Sequence, residues 1–121
     1  MIQHSKVPFP HPGSRLADLH IHSTFSDGKL TIPQIVDLYG SRGFGAIAIT
    51  DHLCETSTVL GKAAGYLNQT LTKATFPLYR EILRTEAIRA RREYDLLLIP
   101  GMELTKNTLR NQRSAHVLAL G

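Results

Sequence analysis

Residues 46–50 read Ala-Ile-Ala-Ile-Thr, and this short unbroken apolar run constrains the fold more than any other stretch. A strand that is apolar on consecutive residues is buried on both faces, as in a parallel sheet covered by helices. The segment before it has the matching pattern. Leu16–His22 reads as a first strand, and Ser23–Lys29 as a polar loop containing Gly28. Thr31 can cap a helix over Ile32–Arg42, with Pro33 tolerated in its first turn. Ile32, Ile35, Val36 and Tyr39 recur at helical spacing and should face a sheet. Gly40, Gly43 and Gly45 then end the helix and turn the chain. Strand, helix and strand within residues 16–50 make a βαβ unit, for which a right-handed crossover is the default. The expected class is therefore α/β.

The rest of the chain extends this alternation. Gly61, Gly65 and Asn68 break any long pattern in residues 53–75, which read as a loop with a short helix, lying over the site as a lid or wall. Pro77–Tyr94 reads as a helix with Leu78, Ile82, Ile88 and Ala90 near one face. Arg80, Arg84, Arg89, Arg91 and Arg92 are interleaved with Glu81, Glu86 and Glu93, which reads as a solvated helix face. Leu96–Met102 is the third expected strand and His116–Leu120 the fourth. Residues 1–14, with Pro8, Pro10 and Pro12, read as a loose leader before a domain over 15–121. No apolar run reaches the roughly 18 residues of a membrane span, so no membrane partner is expected. Cys54 is the only cysteine, which excludes an intrachain disulfide and makes a reducing, cytoplasmic setting the expected one. The net charge of +4 suits an anionic small substrate and falls well short of a nucleic-acid arm.

The chemistry-bearing residues fall at the ends of these runs. His20 and His22 are two apart, so on a strand they share a face, about 7 Å apart at Cα, where paired imidazoles can grip one metal ion. Asp27 follows in the loop, Asp51 and His52 close the second strand, and Glu103 closes the third. His116 opens the fourth run. In sheets built from βα units the site lies at the carboxyl ends of the strands. Buried histidines and carboxylates without partners are costly, so successive strands that deliver them to one end point to a metal site.

Taken in order, the motifs Asp18-Leu-His-Ile-His-Ser-Thr-Phe-Ser-Asp-Gly28, Ile49-Thr-Asp-His52, Pro100-Gly-Met-Glu-Leu104 and His116-Val-Leu-Ala-Leu-Gly121 resemble the N-terminal motifs of the polymerase and histidinol phosphatase (PHP) family. The resemblance covers residues 16–121, apart from an unusual stretch around 53–95. It implies a partial, distorted βα barrel of about four strands with helices outside, binding Zn, Mn or Fe and hydrolysing a small phosphorylated substrate. It also implies roles: His20 and His22 hold one ion, Glu103 bridges it to a second that His116 also holds, and Asp27 and His52 hold a third. Glu103, His116 and Asp51 are the residues placed in catalysis, Asp51 by orienting a ligand through a hydrogen bond. Paired divalent ions of this kind activate water and clamp phosphoryl oxygens. Lys29, Lys106, Arg110 or Arg113 could add charge stabilisation, although each also reads as a surface cation.

Full members of the family continue past this point to a further Asp-x-His, which this sequence lacks, so a partial constellation is expected. Two other classes remain open: a non-catalytic, structural PHP-like module, which the motif histidines argue against, and an amidohydrolase, whose usual lysine bridge is not found. His4 and His11 read as exposed leader residues, and Cys54 as a small apolar residue close to the site. Three expectations concern geometry. His20, His22 and Glu103 should converge on one point. Residues 102–106 and 114–118 should pair antiparallel through the turn 107–113, because a parallel strand would carry His116 to the wrong end. Four strands cannot close such a barrel, so apolar positions such as Ile47, Ile49, Leu97 and Ile99 should leave exposed surface and favour a homodimer through the open sheet edge.

Overall fold

A computed structural model describes residues 13–54, 69–106 and 115–121. The first strand, β1, spans Ala17–Ile21, and helix α1 spans Ile32–Ser41. Strand β2 follows at Ala46–Cys54, then helix α2 at Phe76–Tyr94, strand β3 at Leu97–Lys106 and strand β4 at Ala115–Leu120. They form one four-stranded sheet in the order β1-β2-β3-β4. β1, β2 and β3 are parallel, and β4 returns antiparallel to β3. This is the α/β class and the partial βα barrel read from the sequence, with the antiparallel return that His116 demanded. The expected turn over 107–113 and most of the expected lid, residues 55–68, lie outside the described residues, as do His4, His11, Arg110 and Arg113. No helix among the described residues is long and apolar enough to cross a membrane.

Local chemistry explains α1. Thr31 and Gln34 form a reciprocal capping box and Pro33 sits in the first turn, as the sequence suggested. Its apolar stripe, Ile32, Ile35 and Val36, is buried against Ile47 and Ile49 of β2 and Leu83 and Ala90 of α2. Gly40 is required by close approach, because a Cβ there would run into the Tyr94 ring.

The buried face of α2 differs from the expected one. Leu78 and Ile88 are exposed, and the buried residues are Tyr79, Leu83, Glu86 and Ala90. Aliphatic residues alone misplace the stripe, because two of the inward residues carry polar groups that find partners. The Tyr79 hydroxyl donates to the Gly101 carbonyl at 2.7 Å, and Glu86 receives Arg89 at 2.7 Å. Ile88 instead helps line an apolar groove of about 590 Å³ between α2 and the β3–β4 strands, with Leu83, Pro100, Met102 and Leu120.

Strands β2 and β3 both run further than the apolar runs suggest, to Cys54 and Lys106. The ladder pairs His52 with Glu103 and Thr50 with Gly101, so these residues share the inner face. Ile47, Ile49 and Asp51 alternate to the outer face, beneath the helices. Ile47 and Ile49 are fully buried, whereas Leu97 on the inner face of β3 is half exposed. β2 is thus buried on both faces over Ile47–Asp51, as its apolar run predicts, and β3 is not. β1 and β4 are the outer strands of the sheet, and Val117, Leu118 and Leu120 on β4 are exposed.

Candidate metal centre

The site sits on the inner face, at the carboxyl ends of the parallel strands. A register irregularity in β1 brings its histidines there: Asp18 pairs with Ile47, but Ile21 pairs with Ile49. Three residues of β1 are thus set against two of β2, a bulge that breaks strict alternation. Asp18 turns outward, accepting the Tyr39 hydroxyl at 2.7 Å, while its other oxygen receives the His20 backbone N–H at 3.2 Å. Burial, then Asp18, push the Tyr39 phenol up to about 12. His20 and His22 both face the site, with their Nε2 atoms 3.1 Å apart.

Glu103 is the hub. Its Oε2 lies 3.4 Å from His20 Nε2, 2.8 Å from His22 Nε2 and 3.1 Å from His52 Nδ1. Its Oε1 lies 3.2 Å from His116 Nδ1. The expected convergence of His20, His22 and Glu103 is present, and His52 and His116 join it. Asp27 closes the other side, with Oδ1 at 2.6 Å from His22 Nδ1 and Oδ2 at 3.2 Å from His52 Nε2. Partial burial pushes the Asp27 carboxyl up, but the His22 hydrogen bond and the neighbouring His52 and His22 outweigh it and hold the group below its ordinary value.

Among the described residues, three overlapping groups could each hold an ion: His20, His22 and Glu103; His22, Asp27 and His52; and His52, Glu103 and His116. The resemblance paired Asp27 with His52 and Glu103 with His116. The structure adds His22 to the first pair and His52 to the second, because each of these rings sits between the carboxylates with one nitrogen toward each. The donor set fits a cation on its chemistry. Among the described residues Glu103 Oε2 is buried without a hydrogen-bond partner, although imidazole nitrogens surround it. Such an atom is costly unless something positive meets it. Two carboxylates and four histidines, without a thiolate, form a nitrogen- and oxygen-rich set of the kind transition-metal ions prefer.

Other candidates fall away from this centre. Cys54 joins none of the groups, and its backbone N–H donates to Thr70 Oγ1 at 2.9 Å. Lys29 is exposed in the loop, and the Lys106 side chain lies outside the described residues. Asp51 faces the opposite side of β2 from His52 and hydrogen-bonds no ligand side chain; its carboxylate accepts from Ser23 and Ser26. The expected direct bond from Asp51 to a ligand is thus replaced by a hold on the loop. The sequence reading missed these serines, and it missed Thr105, whose hydroxyl lies 3.1 Å from His116 Nδ1 and 3.5 Å from His52 Nδ1. Period-2 spacing from Glu103 was the signal that could have found Thr105.

The sequence pattern of the PHP domain matches residues 18–120. The chain belongs to the PHP family. A search of curated proteins returns no match. Among solved structures, the chain is similar to a candidate metal-dependent phosphoesterase from Bifidobacterium adolescentis, with a TM-score of 0.52 and 27% identity. The match covers 88% of this chain and 28% of that one, so the chain spans under a third of the length of its solved relative. The inner-face cluster of this PHP domain draws on all four of the strands and on the Ser23–Gly28 loop.

Proposed function

We propose that this PHP domain serves a metal-dependent phosphoesterase, with a small phosphorylated molecule as substrate. One observation carries the reading: Glu103, buried at the meeting point of four histidines, keeps an oxygen without a hydrogen-bond partner among the described residues. The solved relative's description as a candidate metal-dependent phosphoesterase supports the reaction class. Zn, Mn or Fe suits the donors, held by His20, His22, Asp27, His52, Glu103 and His116. When bound, such ions supply positive charge for the phosphoryl oxygens and lower the pKa of water. The chain's own residues orient that charge. Glu103 links two of the groups, Asp27 fixes the rings of His22 and His52, and Thr105 supports His116 from beside the hub. In this reading Glu103 and His116 at the hub take part in the chemistry, and Asp51 acts through the loop that it holds.

The test compares generic phosphate esters with cyclic amides, with Mn²⁺ or Zn²⁺ added. Ester hydrolysis should appear, vanish on chelation, and fall at least about a hundredfold in His22→Ala, since the charge stabilisation at stake is worth several kcal/mol. Full ester activity in a strong chelator overturns the reading. Turnover of amides but not esters moves the domain to the amidohydrolase class.

A further inference from the structure

We infer that Asp51 is a positioning residue for the Asp27 arm of the centre: it clamps the Ser23–Gly28 loop so that Asp27 spans His22 and His52. The inference rests on the metal reading above. Asp51 is fully buried and holds three donors from this loop. The Ser23 N–H and hydroxyl donate to it at 2.7 Å each, and the Ser26 hydroxyl donates at 2.5 Å. Ser23 and Ser26 are themselves buried. The loop is closed by its own backbone, with the Ser26 and Gly28 N–H groups donating to the Ser23 carbonyl at 3.1 and 2.9 Å. Gly28 lies so close to the His22 carbonyl that a Cβ there would collide with it. Asp27 is the residue between Ser26 and Gly28, and the only one of the loop that reaches the imidazoles.

This arrangement ties a ligand on an irregular segment to a rigid strand. Asp51 and His52 are adjacent on β2 and alternate to opposite faces. One strand therefore carries a ligand on its inner face and the anchor for a second ligand on its outer face. The tyrosine side of the anchor is also fixed, since the Tyr79 hydroxyl lies 3.4 Å from the Asp51 backbone nitrogen while donating to the Gly101 carbonyl. An amide at position 51 has one accepting oxygen: placed where Oδ1 is, it still receives the Ser23 N–H and the Ser26 hydroxyl, but its N–H₂ then faces the Ser23 hydroxyl, which loses its acceptor, and all three bonds lose the carboxylate's charge. The loop then loses its fixed height, and Asp27 its span.

Co²⁺ titration of the whole chain, followed by its visible absorption and by equilibrium dialysis, reads the groups separately from activity. Asp51→Asn should weaken one class of bound Co²⁺ about 10- to 100-fold, the range for lost support around a metal ligand, and leave the tightest other class within about twofold. Asp27→Asn should reproduce that pattern, and the double variant should add little to either single, because both act on one group. Ser26→Ala, which removes a single donor, should weaken the same class by a smaller factor, and it decides the matter if Asp51→Asn does not fold. Equal weakening of every class, full additivity with Asp27→Asn, or unchanged binding in both Asp51→Asn and Ser26→Ala overturns the role of Asp51. A wild-type chain that binds no Co²⁺ overturns the metal reading itself, and this inference with it.

Discussion

Two carboxylates on this domain stand at the centre of ionisable clusters, and they are built in opposite ways. Glu86 on α2 is buried, and Arg89 meets it with Nε at 2.9 Å and Nη2 at 2.7 Å. The same guanidinium reaches Asp37 at 2.7 Å, Glu93 at 3.0 Å and the Pro33 carbonyl at 3.1 Å. Glu86 first, and then Asp37, hold the Arg89 guanidinium well above its ordinary value. Every donor direction is used, and the cluster welds α1 to α2. Glu103 is equally buried but is met by histidine rings in place of a guanidinium, and among the described residues its Oε2 has no hydrogen bond. A polar cluster that satisfies itself reads as structural; one that leaves a buried carboxylate oxygen without a hydrogen bond is a candidate for a ligand.

The largest expected effect tests that contrast at Glu103. Glu103→Gln keeps the shape and removes the charge, so divalent-metal affinity should fall more than about a hundredfold at both groups that share it. Without metal, the thermal midpoint should hold or rise, because a buried carboxylate oxygen without a hydrogen bond is replaced by a neutral amide. Calorimetric metal titration and melting curves check both. A variant that melts far below wild type in the presence of chelator would place Glu103 among structural hubs and erase the distinction.

Arg89→Ala should show the reverse. It strands Glu86 in the α1–α2 interface, and removal of one partner from a buried pair is costly. Arg89 is 23% exposed, which discounts the loss to about 2–3 kcal/mol in denaturant unfolding. Metal affinity should stay within about twofold, since none of the six candidate ligands touches Arg89. Loss of metal binding in a folded Arg89→Ala chain would show that the clusters are coupled.

The smallest effect comes from the exposed rim of the same network. Hydrogen bonds from Arg89 and then Tyr94 lower the Asp37 carboxyl below its ordinary 3.8. Its contribution is therefore present above about pH 4 and is lost as pH falls through the lowered value. Asp37→Asn should flatten the fall of the melting temperature below that pH by a small margin, because Asp37 is exposed and screened. An unchanged acid limb in that variant would remove Asp37 from the network's energetics.

Much of this site is legible in the sequence. The ligand types sit at the ends of apolar runs, and the order of His20, His22, Asp27, His52, Glu103 and His116 carries the family. The position of His116 at the start of its run is enough to require the antiparallel β4, which the ladder from Gly101–Leu120 to Lys106–Ala115 displays. What is not legible depends on faces and on partners. The burial of Glu86 and Tyr79 in place of Leu78 and Ile88 follows from hydrogen bonds that the folded surroundings supply.

The sequence by itself determined the α/β alternation, the capped start of α1 and the donor set of the centre, because these depend on residue type and short spacing. Only the tertiary structure decided how they combine. The irregularity in β1 sent Asp18 outward and both histidines inward, against simple alternation. The extension of β2 to Cys54 put Asp51 and His52 on opposite faces, one bonded to the Ser23–Gly28 loop and the other in the candidate metal centre. The physical reason is that alternation within a strand is local, whereas register, bulges and strand length are set by the neighbouring strands with which the backbone must share its hydrogen bonds.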